Sequence, residues 1–312
     1  MRVLVSAFPF LNQMPRDGIE FVYHPWNRRP QPQEVTEEVV RGKYHGLIAG
    51  TERIERAIAD QASNLKVVSR VGSGVDNVDV EYFAARGITT TYTPFGPVDA
   101  VAEMTVGLIV AALRNFRAHD LRVRAGEWKR DFGRRLSDCR VGIVGFGRIG
   151  RRVASLLAAF RCQILLHDEA PDEATAHAMG LPFLTKAELL SQADVITLHL
   201  PLKGNTQDWL SASDLPHCRG GVVIINASRG GIVNEPAMVT FLTEHPDAYY
   251  CGDVFSEEPY HGELTKLPNT LLLPHIGAST RESRLEMELL ALENCERVLK
   301  GETCSNVVAR NL

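Results

Sequence analysis

Short apolar runs alternate with amphipathic segments along most of this chain. Apolar runs at 3–8, 46–49, 65–71 and 88–91 predict β-strands, and segments at 33–41 and 80–86 have helical periodicity. The alternation begins again with strands predicted at 140–144, 163–166, 195–198, 221–225, 249–253 and 270–273. Further helices are predicted at 100–115, 149–160, 172–178, 186–191, 235–244 and 282–300. Such alternation predicts parallel sheets with crossover helices.

The strand predicted at 140–144 runs directly into a glycine-rich turn. Gly145, Gly147 and Gly150 follow it, and a helical pattern begins at the same point. In a strand–turn–helix setting this spacing is the dinucleotide-binding fingerprint. The first glycine permits the turn, the second lets the backbone approach a pyrophosphate, and the third lets the helix pack closely. The helix N-terminus then offers N–H groups to the phosphates.

An acidic pair ends the next predicted strand. Asp168 follows Gly145 at roughly the 20-residue spacing of the acid that binds the ribose hydroxyls. Asp168 and Glu169 would repel a 2′-phosphate, and no Arg follows to bind one. The sequence therefore predicts NAD rather than NADP as the cofactor. A tight turn beside an unrelated surface Asp is the alternative interpretation.

Two domains are predicted because the alternation restarts. We expect an α/β protein with two doubly wound parallel sheets, in which a Rossmann NAD-binding domain is inserted into a flavodoxin-like substrate-binding domain. The expected boundaries are residues 99–282 for the first and residues 1–98 with 283–312 for the second. The last helix is assigned to the substrate-binding domain because the nucleotide domain is complete without it.

Composition narrows the class of protein. A hydrophobic content of 45% and a charged content of 23% are ordinary for a globular chain of 312 residues. The net charge of −4 disfavours a nucleic-acid partner, and the basic segment at 114–135 contains acids, which favours a solvated helix and loop. The six cysteines have no paired spacing. This pattern favours reduced thiols in a cytoplasmic protein over disulfides or a metal site. No apolar stretch is long enough for a membrane span.

Three reactive side chains follow predicted strands. Arg229, Glu258 and His275 come after the strands at 221–225, 249–253 and 270–273. Ligands of open parallel sheets bind beyond the carboxyl ends of the strands, so these residues should share an edge with the glycine turn. Gly72 and its neighbours Ser73 and Gly74 follow the strand at 65–71, where their N–H groups would form an anion-binding nest.

This set of side chains suits the reduction of a 2-keto acid by hydride. His275 would protonate the carbonyl oxygen, Glu258 would orient the imidazole and stabilise its cation, and Arg229 would hold the carboxylate and polarise the carbonyl. Each residue also has a structural interpretation. His275 would be a capping or packing residue, Arg229 a partner in an interdomain ion pair, and Glu258 an ordinary loop acid.

The order of sequence blocks resembles the D-isomer-specific 2-hydroxyacid dehydrogenases over nearly the whole chain. The matching blocks are VGSGVDNVD at 71–79, AVAE at 100–103, the glycine turn, HLPL at 199–202, NASRGGIVNE at 226–235, DVFSEEP at 253–259 and PHIG at 274–277. The resemblance is to short phosphoglycerate dehydrogenase-like or glyoxylate/hydroxypyruvate reductase-like members, without a C-terminal regulatory domain. It implies an NAD-dependent oxidoreductase whose catalytic residues are Arg229, Glu258 and His275.

The resemblance also implies binding residues and a homodimer. Substrate contacts would come from Gly72, Ser73, Gly74, Arg229 and His275. Asp253 would bind the nicotinamide carboxamide, and His199 and Pro201 would border the adenine. The dimer would be built around the nucleotide domain and would bury the helix at 100–115. The full cofactor set is Gly145, Gly147, Arg148, Ile149, Gly150, Asp168, His199, Pro201, Thr206, Ala227, Ser228, Arg229, Asp253, His275 and Gly277.

Two departures from the family concern the substrate. Ala49-Gly50-Thr51 stands where many phosphoglycerate dehydrogenases have an Arg-Ser pair, so one phosphate-binding cation is missing unless Arg53 or Arg70 replaces it. Phe95 lies in a segment where the family often has Thr-Pro-Gly-Asn, and we expect it to pack in the core rather than cap a substrate pocket.

The resemblance leaves a second function open. Glu258 argues against the formate dehydrogenase branch, which has Gln at this position. The alternative to an enzyme is an NAD(H)-sensing, corepressor-like binding protein on the same fold. The sequence does not identify the 2-keto acid or the physiological direction of the reaction.

Overall fold

The computed structural model describes residues 1–11, 18–23 and 26–308. The chain divides into two compact units. Unit 1 comprises Met1–Pro97 with Ser279–Leu312, and unit 2 comprises Val98–Ala278. The boundaries expected from the sequence lie after residues 98 and 282, within a few residues of these. Both units are α/β structures, as the alternating pattern predicted.

Unit 1 is built on a five-stranded parallel sheet of order β2-β1-β3-β4-β5, which is the flavodoxin-like order. Its strands are β1 (Arg2–Val5), β2 (Glu20–Tyr23), β3 (Gly46–Ala49), β4 (Val67–Arg70) and β5 (Thr89–Thr91). Its helices are α1 (Pro32–Gly42), α2 (Arg56–Gln61), α3 (Val80–Ala84) and the last helix of the chain, α10 (Arg281–Lys300).

The last helix packs directly on the sheet of unit 1. The Ser69 hydroxyl, on β4, donates a hydrogen bond of 2.8 Å to the Ala291 carbonyl of α10. A Cβ on Gly46 of β3 would lie 2.8 Å from the Cys295 sulfur of the same helix. The absence of a side chain at Gly46 therefore lets α10 pack closely on β3. This contact gives α10 a place in unit 1 although it follows unit 2 in the chain.

Two elements of unit 1 were missed in the sequence analysis. Strand β2 has no fully buried residue, and helix α2 buries only Ile58. Short elements with so little buried apolar surface carry no clear periodicity. The segment at 114–135 contains a helix, α5, that buries no residue, which agrees with the predicted solvated helix and loop.

Unit 2 is built on a six-stranded parallel sheet of order β11-β10-β9-β8-β6-β7. Its strands are β6 (Arg140–Val144), β7 (Gln163–His167), β8 (Val195–Leu198), β9 (Val223–Asn226), β10 (Tyr249–Gly252) and β11 (Thr270–Leu272). Its helices are α4 (Pro97–Leu113, which begins at the boundary), α5 (Phe116–Arg124), α6 (Arg148–Ala158), α7 (Glu173–Ala178), α8 (Lys186–Gln192) and α9 (Glu235–Glu244).

Both faces of the unit 2 sheet are covered by helices. One apolar cluster joins Val195 and Ile225 to residues of α4 and α6, such as Ile109. A second cluster joins Ile196 and Ile224 to residues of α8 and α9. Successive strand residues thus face opposite clusters, which explains why the strands read as continuous apolar runs. In the described ranges, no helix combines the length and the apolar character needed to cross a bilayer.

Candidate active site

The glycine turn after β6 has the geometry that the fingerprint predicted. Gly145 has a φ of +89°, and a Cβ at this position would lie 2.5 Å from the His199 carbonyl oxygen. A Cβ on Gly150 would lie 2.0 Å from the Gly145 carbonyl oxygen. Both positions therefore exclude any other residue, one through its backbone angle and the other through close packing of α6 on the turn.

The N-terminus of α6 suits a bound pyrophosphate. Its N-cap is Gly147, no side chain caps the helix, and a Cβ on Gly147 would meet nothing within 4 Å. The first-turn N–H groups, such as that of Ile149, lie at the positive end of the helix dipole. The phosphates of a dinucleotide bind N–H groups at a helix N-terminus, and the missing side chain of Gly147 leaves room for them to approach. The residues present therefore fit the cofactor predicted from the sequence.

Asp168 lies at the carboxyl end of β7, directly beside the glycine turn. Its Oδ2 accepts a hydrogen bond of 2.6 Å from the Phe146 N–H, and its Oδ1 accepts one of 2.9 Å from the Ala170 N–H. These bonds hold the carboxylate rigidly, and each oxygen retains a second lone pair for a ribose hydroxyl. The neighbouring Glu169 instead accepts a hydrogen bond from Asn205.

The loop after β8 contains His199, Pro201 and Thr206. The Thr206 hydroxyl donates to the Pro201 carbonyl at 2.6 Å and accepts from the Lys203 N–H at 2.8 Å. The Thr206 hydroxyl therefore stabilises the loop through these two hydrogen bonds. The His199 Nε2 lies 3.0 Å from the Thr197 hydroxyl, while its buried Nδ1 has no partner among the described residues.

The buried imidazole of His199 predicts a pH-dependent stability. Burial lowers the pKa of His199 to about 4, because the cation would lose its hydration. An unfolded chain binds this proton near the ordinary pKa of about 6.5, so acidification favours unfolding between the two values. Unit 2 should lose roughly 2 kcal/mol of unfolding free energy between about pH 7 and 5 through this residue.

The check is denaturant unfolding of the wild type and His199→Asn at both pH values. The variant should lose less stability on acidification, because it has no imidazole to protonate. His261→Ala is the matched control, since His261 is exposed. Equal losses in the wild type and His199→Asn would contradict the expectation.

The loop after β9, which carries Ala227, Ser228 and Arg229, is held by a residue to which the sequence analysis gave no role. Asn226 is 2% exposed. Its amide nitrogen donates to the Arg229 carbonyl at 2.9 Å, and its Oδ1 accepts from the Ser228 hydroxyl at 2.8 Å. Asparagine can form both bonds because its side chain carries a donor and an acceptor. The sequence did contain a signal for this role, because Asn226 is a polar residue at the end of a buried strand.

The Arg229 loop also lies against the loop that carries Glu258. A Cβ on Gly230 would lie 1.9 Å from the Phe255 carbonyl oxygen. The Ser256 N–H donates to the Glu235 carboxylate at 2.7 Å, which joins this loop to the start of α9. The Arg229 guanidinium donates to the Ser228 carbonyl at 2.7 Å.

Asp253 organises the segment that contains His275. It is 1% exposed, and its two carboxylate oxygens accept hydrogen bonds of 2.7 and 2.8 Å from the Ile276 and Gly277 N–H groups. Its carbonyl accepts from the His275 N–H at 2.9 Å. Burial raises the pKa of the Asp253 carboxyl, and the two amide hydrogen bonds act in the opposite direction. Asp253 is thus a buried clamp on the backbone after β11.

His275 and Glu258 form a hydrogen-bonded pair. The His275 Nδ1 lies 3.0 and 3.1 Å from the two Glu258 oxygens, and the side chains are 37% and 25% exposed. A carboxylate can only accept, so Nδ1 carries the proton and the tautomer is set by this contact. The Glu258 carboxylate also accepts from the Phe255 N–H at 3.3 Å. Nε2 is left without a hydrogen bond to any residue in the described ranges.

The predicted nest in unit 1 is smaller than expected. The Gly72 N–H donates to the Thr93 hydroxyl at 2.7 Å, so it is already used. A Cβ on Gly72, whose φ is +143°, would lie 2.5 Å from the Arg70 guanidinium. The Ser73 and Gly74 N–H groups donate to no protein group in the part of the chain that the structure describes. Two amides, rather than three, remain to bind an anion.

The sequence analysis connected Phe95, Arg70 and Arg53 with the substrate, and the structure shows how exposed each of them is. Phe95 is 63% exposed, so the expectation that it packs in the core is wrong. Arg70 is 8% exposed and donates to the Asn77 Oδ1 and to the Val71 carbonyl, whereas Arg53 is exposed. Within the described ranges, no group of three or more His, Cys, Asp or Glu side chains is placed to hold a metal ion.

Comparison with known proteins identifies the family of this chain. Residues 106–277 match the family model described as the NAD-binding domain of D-isomer-specific 2-hydroxyacid dehydrogenases. A glyoxylate reductase from Thermococcus litoralis is 32% identical over 96% of this chain and 96% of its own length. A D-3-phosphoglycerate dehydrogenase from Methanocaldococcus jannaschii is 34% identical over 88% of this chain, which spans only 53% of that relative.

A solved structure shows the same overall fold. The glyoxylate reductase from Paecilomyes thermophila superimposes with a TM-score of 0.86 at 27% identity, covering 100% of this chain and 99% of that one. The family model covers more than half of the chain, and the full-length relative exceeds 30% identity. The chain therefore belongs to the D-isomer-specific 2-hydroxyacid dehydrogenase family, whose members are NAD-dependent oxidoreductases.

Proposed function

We propose that this protein interconverts a small 2-keto acid and the corresponding D-2-hydroxy acid with NAD(H). The observation that carries the proposal is the pair formed by His275 and Glu258, which leaves the His275 Nε2 available beside the dinucleotide-binding edge of the sheet. Arg229 follows β9, Glu258 follows β10 and His275 follows β11, which are three adjacent strands. Their carboxyl ends therefore lie together at one edge.

Each residue has a defined part in this proposal. The bound nicotinamide supplies or accepts the hydride. In the direction of reduction, the His275 imidazolium gives its Nε2 proton to the carbonyl oxygen as negative charge develops there and becomes neutral, and Glu258 stabilises the imidazolium before this transfer. Arg229 binds the substrate carboxylate and polarises the carbonyl. Asp253 and Asn226 are positioning residues, because their hydrogen bonds hold the backbone on which His275 and Arg229 are carried.

The two amides of unit 1 suit a carboxylate. Neighbouring N–H groups in a glycine-rich turn bind anions through aligned dipoles, without a counter-charge. We propose that Ser73 and Gly74 bind the substrate carboxylate in this way. The nucleotide contacts proposed for Gly147, Asp168 and His199 all come from residues of unit 2.

The direct test is NADH oxidation with a panel of 2-keto acids. Glyoxylate, hydroxypyruvate, phosphohydroxypyruvate, 2-ketobutyrate and bulkier 2-keto acids should be compared, and the product's configuration determined by chiral chromatography. We expect turnover of at least one small member with a D-configured product. NADH binding without turnover of any of them would favour the corepressor-like alternative, and an L-configured product would contradict the proposal.

Asp168 should determine the preference for NADH. A carboxylate in the ribose site repels a 2′-phosphate, so the wild type should use NADPH far less efficiently. Asp168→Asn keeps the side-chain shape but loses the charge, and should lower kcat/KM for NADH on the order of tenfold. Glu169→Gln removes a charge from the adjacent residue and should change the ratio of the two cofactors much less. Equal wild-type rates with NADH and NADPH would refute this role.

We also propose that the protein is a homodimer formed through unit 2. Trp128 and Phe132, in the segment after α5, are 87% and 107% exposed, and α5 exposes Phe116, Leu121 and Val123. Concentrated apolar exposure of this kind marks an interaction surface. Light scattering should give twice the mass of one chain, and a Trp128→Ala/Phe132→Ala variant should shift toward monomer. Phe160→Ala, at an exposed position shortly after α6, is the matched control.

A further inference from the structure

Glu52 lies in the loop after β3, at the carboxyl edge of the unit 1 sheet, and is 1% exposed. Loops from two neighbouring strands meet it there. The Ser6 hydroxyl, after β1, donates to the Glu52 Oε1 at 2.5 Å, and the Asn77 amide, after β4, donates to the Glu52 carbonyl at 2.6 Å. The loop after β4 also carries the amides of Ser73 and Gly74. Glu52 and the proposed carboxylate-binding amides therefore lie on adjacent loops of the same edge.

The Glu52 carboxylate is only partly satisfied by the protein. Its Oε1 accepts from the Ser6 hydroxyl and from the Gly50 N–H at 2.9 Å. Among the residues that the structure describes, none donates a hydrogen bond to Oε2, and no Lys or Arg pairs with the carboxylate. Burying a carboxylate with two neutral donors and no cation is costly. A ligand that donates a hydrogen bond to Oε2 would offset part of this cost.

The glycine at position 50 makes room for this carboxylate. A Cβ on Gly50 would lie 2.7 Å from the Glu52 Oε2 and 3.1 Å from the Ala7 Cα. Gly50 belongs to the segment Ala49-Gly50-Thr51, which stands where many phosphoglycerate dehydrogenases have an Arg-Ser pair. Position 50 itself thus carries no cation, although the Arg29 guanidinium donates to the neighbouring Thr51 carbonyl, and the Glu52 carboxylate occupies the space beside Gly50. The Arg70 guanidinium donates within its own loop, to Val71 and Asn77.

We propose that Glu52 is a specificity-determining residue that excludes substrates with a phosphoryl group on carbon 3. Its charge repels a phosphate strongly, because both charges would be shielded from water. A hydroxyl on the same carbon can instead donate to Oε2. Because this selectivity comes from repelling the phosphorylated substrate, it needs no additional contact with the substrate that carries a hydroxyl. The proposal rests on the proposed function, since it concerns the substrate of that reaction.

The test compares NADH-dependent reduction of three compounds. Glyoxylate has no carbon 3, hydroxypyruvate carries a hydroxyl there, and 3-phosphohydroxypyruvate carries a phosphate. The wild type should have a kcat/KM at least tenfold higher for hydroxypyruvate than for the phosphorylated compound. Glu52→Gln should shift this ratio at least tenfold toward the phosphorylated compound, with kcat/KM for glyoxylate changed less than twofold.

Two control variants separate charge from structure. Ser6→Ala removes a hydrogen bond to Glu52 but keeps the charge, so the ratio should stay unchanged. Glu81→Gln removes one charge from an exposed position of α3 and should also leave the ratio unchanged. A fall in kcat/KM for all three compounds in Glu52→Gln would indicate a structural role and overturn the proposal.

The remaining outcomes are also decisive. A wild type that reduces none of the compounds would remove the proposed function, and this proposal with it. An active wild type whose ratio is the same in Glu52→Gln would overturn only the role of Glu52. A wild type that prefers the phosphorylated compound would overturn that role whether or not the variant folds.

Discussion

Replacing His275 with alanine is expected to lower kcat for 2-keto acid reduction by roughly 10²- to 10⁴-fold, because the carbonyl oxygen loses its proton donor. The dissociation constant for NADH should change little, since the glycine turn and Asp168 are untouched. Glu258→Gln keeps a hydrogen-bond acceptor near Nδ1 but removes the charge that favours the protonated imidazole. The kcat of this variant should therefore also fall, with little change in NADH binding.

The measurements are steady-state kcat values together with NADH fluorescence titrations. His261→Ala is a suitable control, because His261 is exposed and lies in the segment between Glu258 and His275. Its kcat should match that of the wild type. Near-normal turnover in either His275→Ala or Glu258→Gln would contradict the acid–base pair.

Gly230→Ala is expected to reduce kcat/KM on the order of 10²-fold without removing any polar group. The added Cβ would lie 1.9 Å from the Phe255 carbonyl oxygen and 2.2 Å from its carbon, so the two backbones must separate. That separation moves Arg229 relative to Glu258. Displacements of about 1 Å in a catalytic arrangement can cost this much in rate.

Gly204→Ala is the matched control for this substitution. A Cβ at Gly204 meets nothing within 4 Å. Both variants add one methyl group to a loop of unit 2, but only Gly230→Ala should lose activity. Thermal unfolding of both should show a cooperative transition, which separates displacement of the loops from global unfolding. Wild-type activity in Gly230→Ala would show that the two loops need not be in contact.

The dinucleotide site was accessible to sequence analysis because its geometry is local. Gly145, Gly147 and Gly150 lie within one turn, so their spacing alone predicts the strand–turn–helix, and the structure has it. The strands of unit 2 were equally clear, since burial on both faces produces unbroken apolar runs. Strand β2 and helix α2 were missed because each buries too little apolar surface to leave a periodic signal.

The substrate side shows where sequence analysis was least able to predict the structure. Phe95 is apolar, yet its side chain is exposed. Burial of a side chain depends on which other segments pack against it, and the residue type alone does not determine this. The Gly72 N–H was expected to bind an anion, but it donates to Thr93, which is distant in sequence. The absence of a cation at position 50 was visible in the sequence. The position of the Glu52 carboxylate in the adjoining space was not.

The amino-acid sequence by itself determined the class of fold and the dinucleotide turn, because these depend on periodicity and on residues close together in the chain. It also predicted Arg229, Glu258 and His275 as the reactive side chains, since each follows a predicted strand. Only the tertiary structure decided which of these side chains are in contact. The bond between His275 and Glu258, the clamp by Asp253 and the approach of Gly230 to Phe255 all join segments that follow different strands. The order and spacing of neighbouring strands set those distances, and residue spacing along the chain does not encode them.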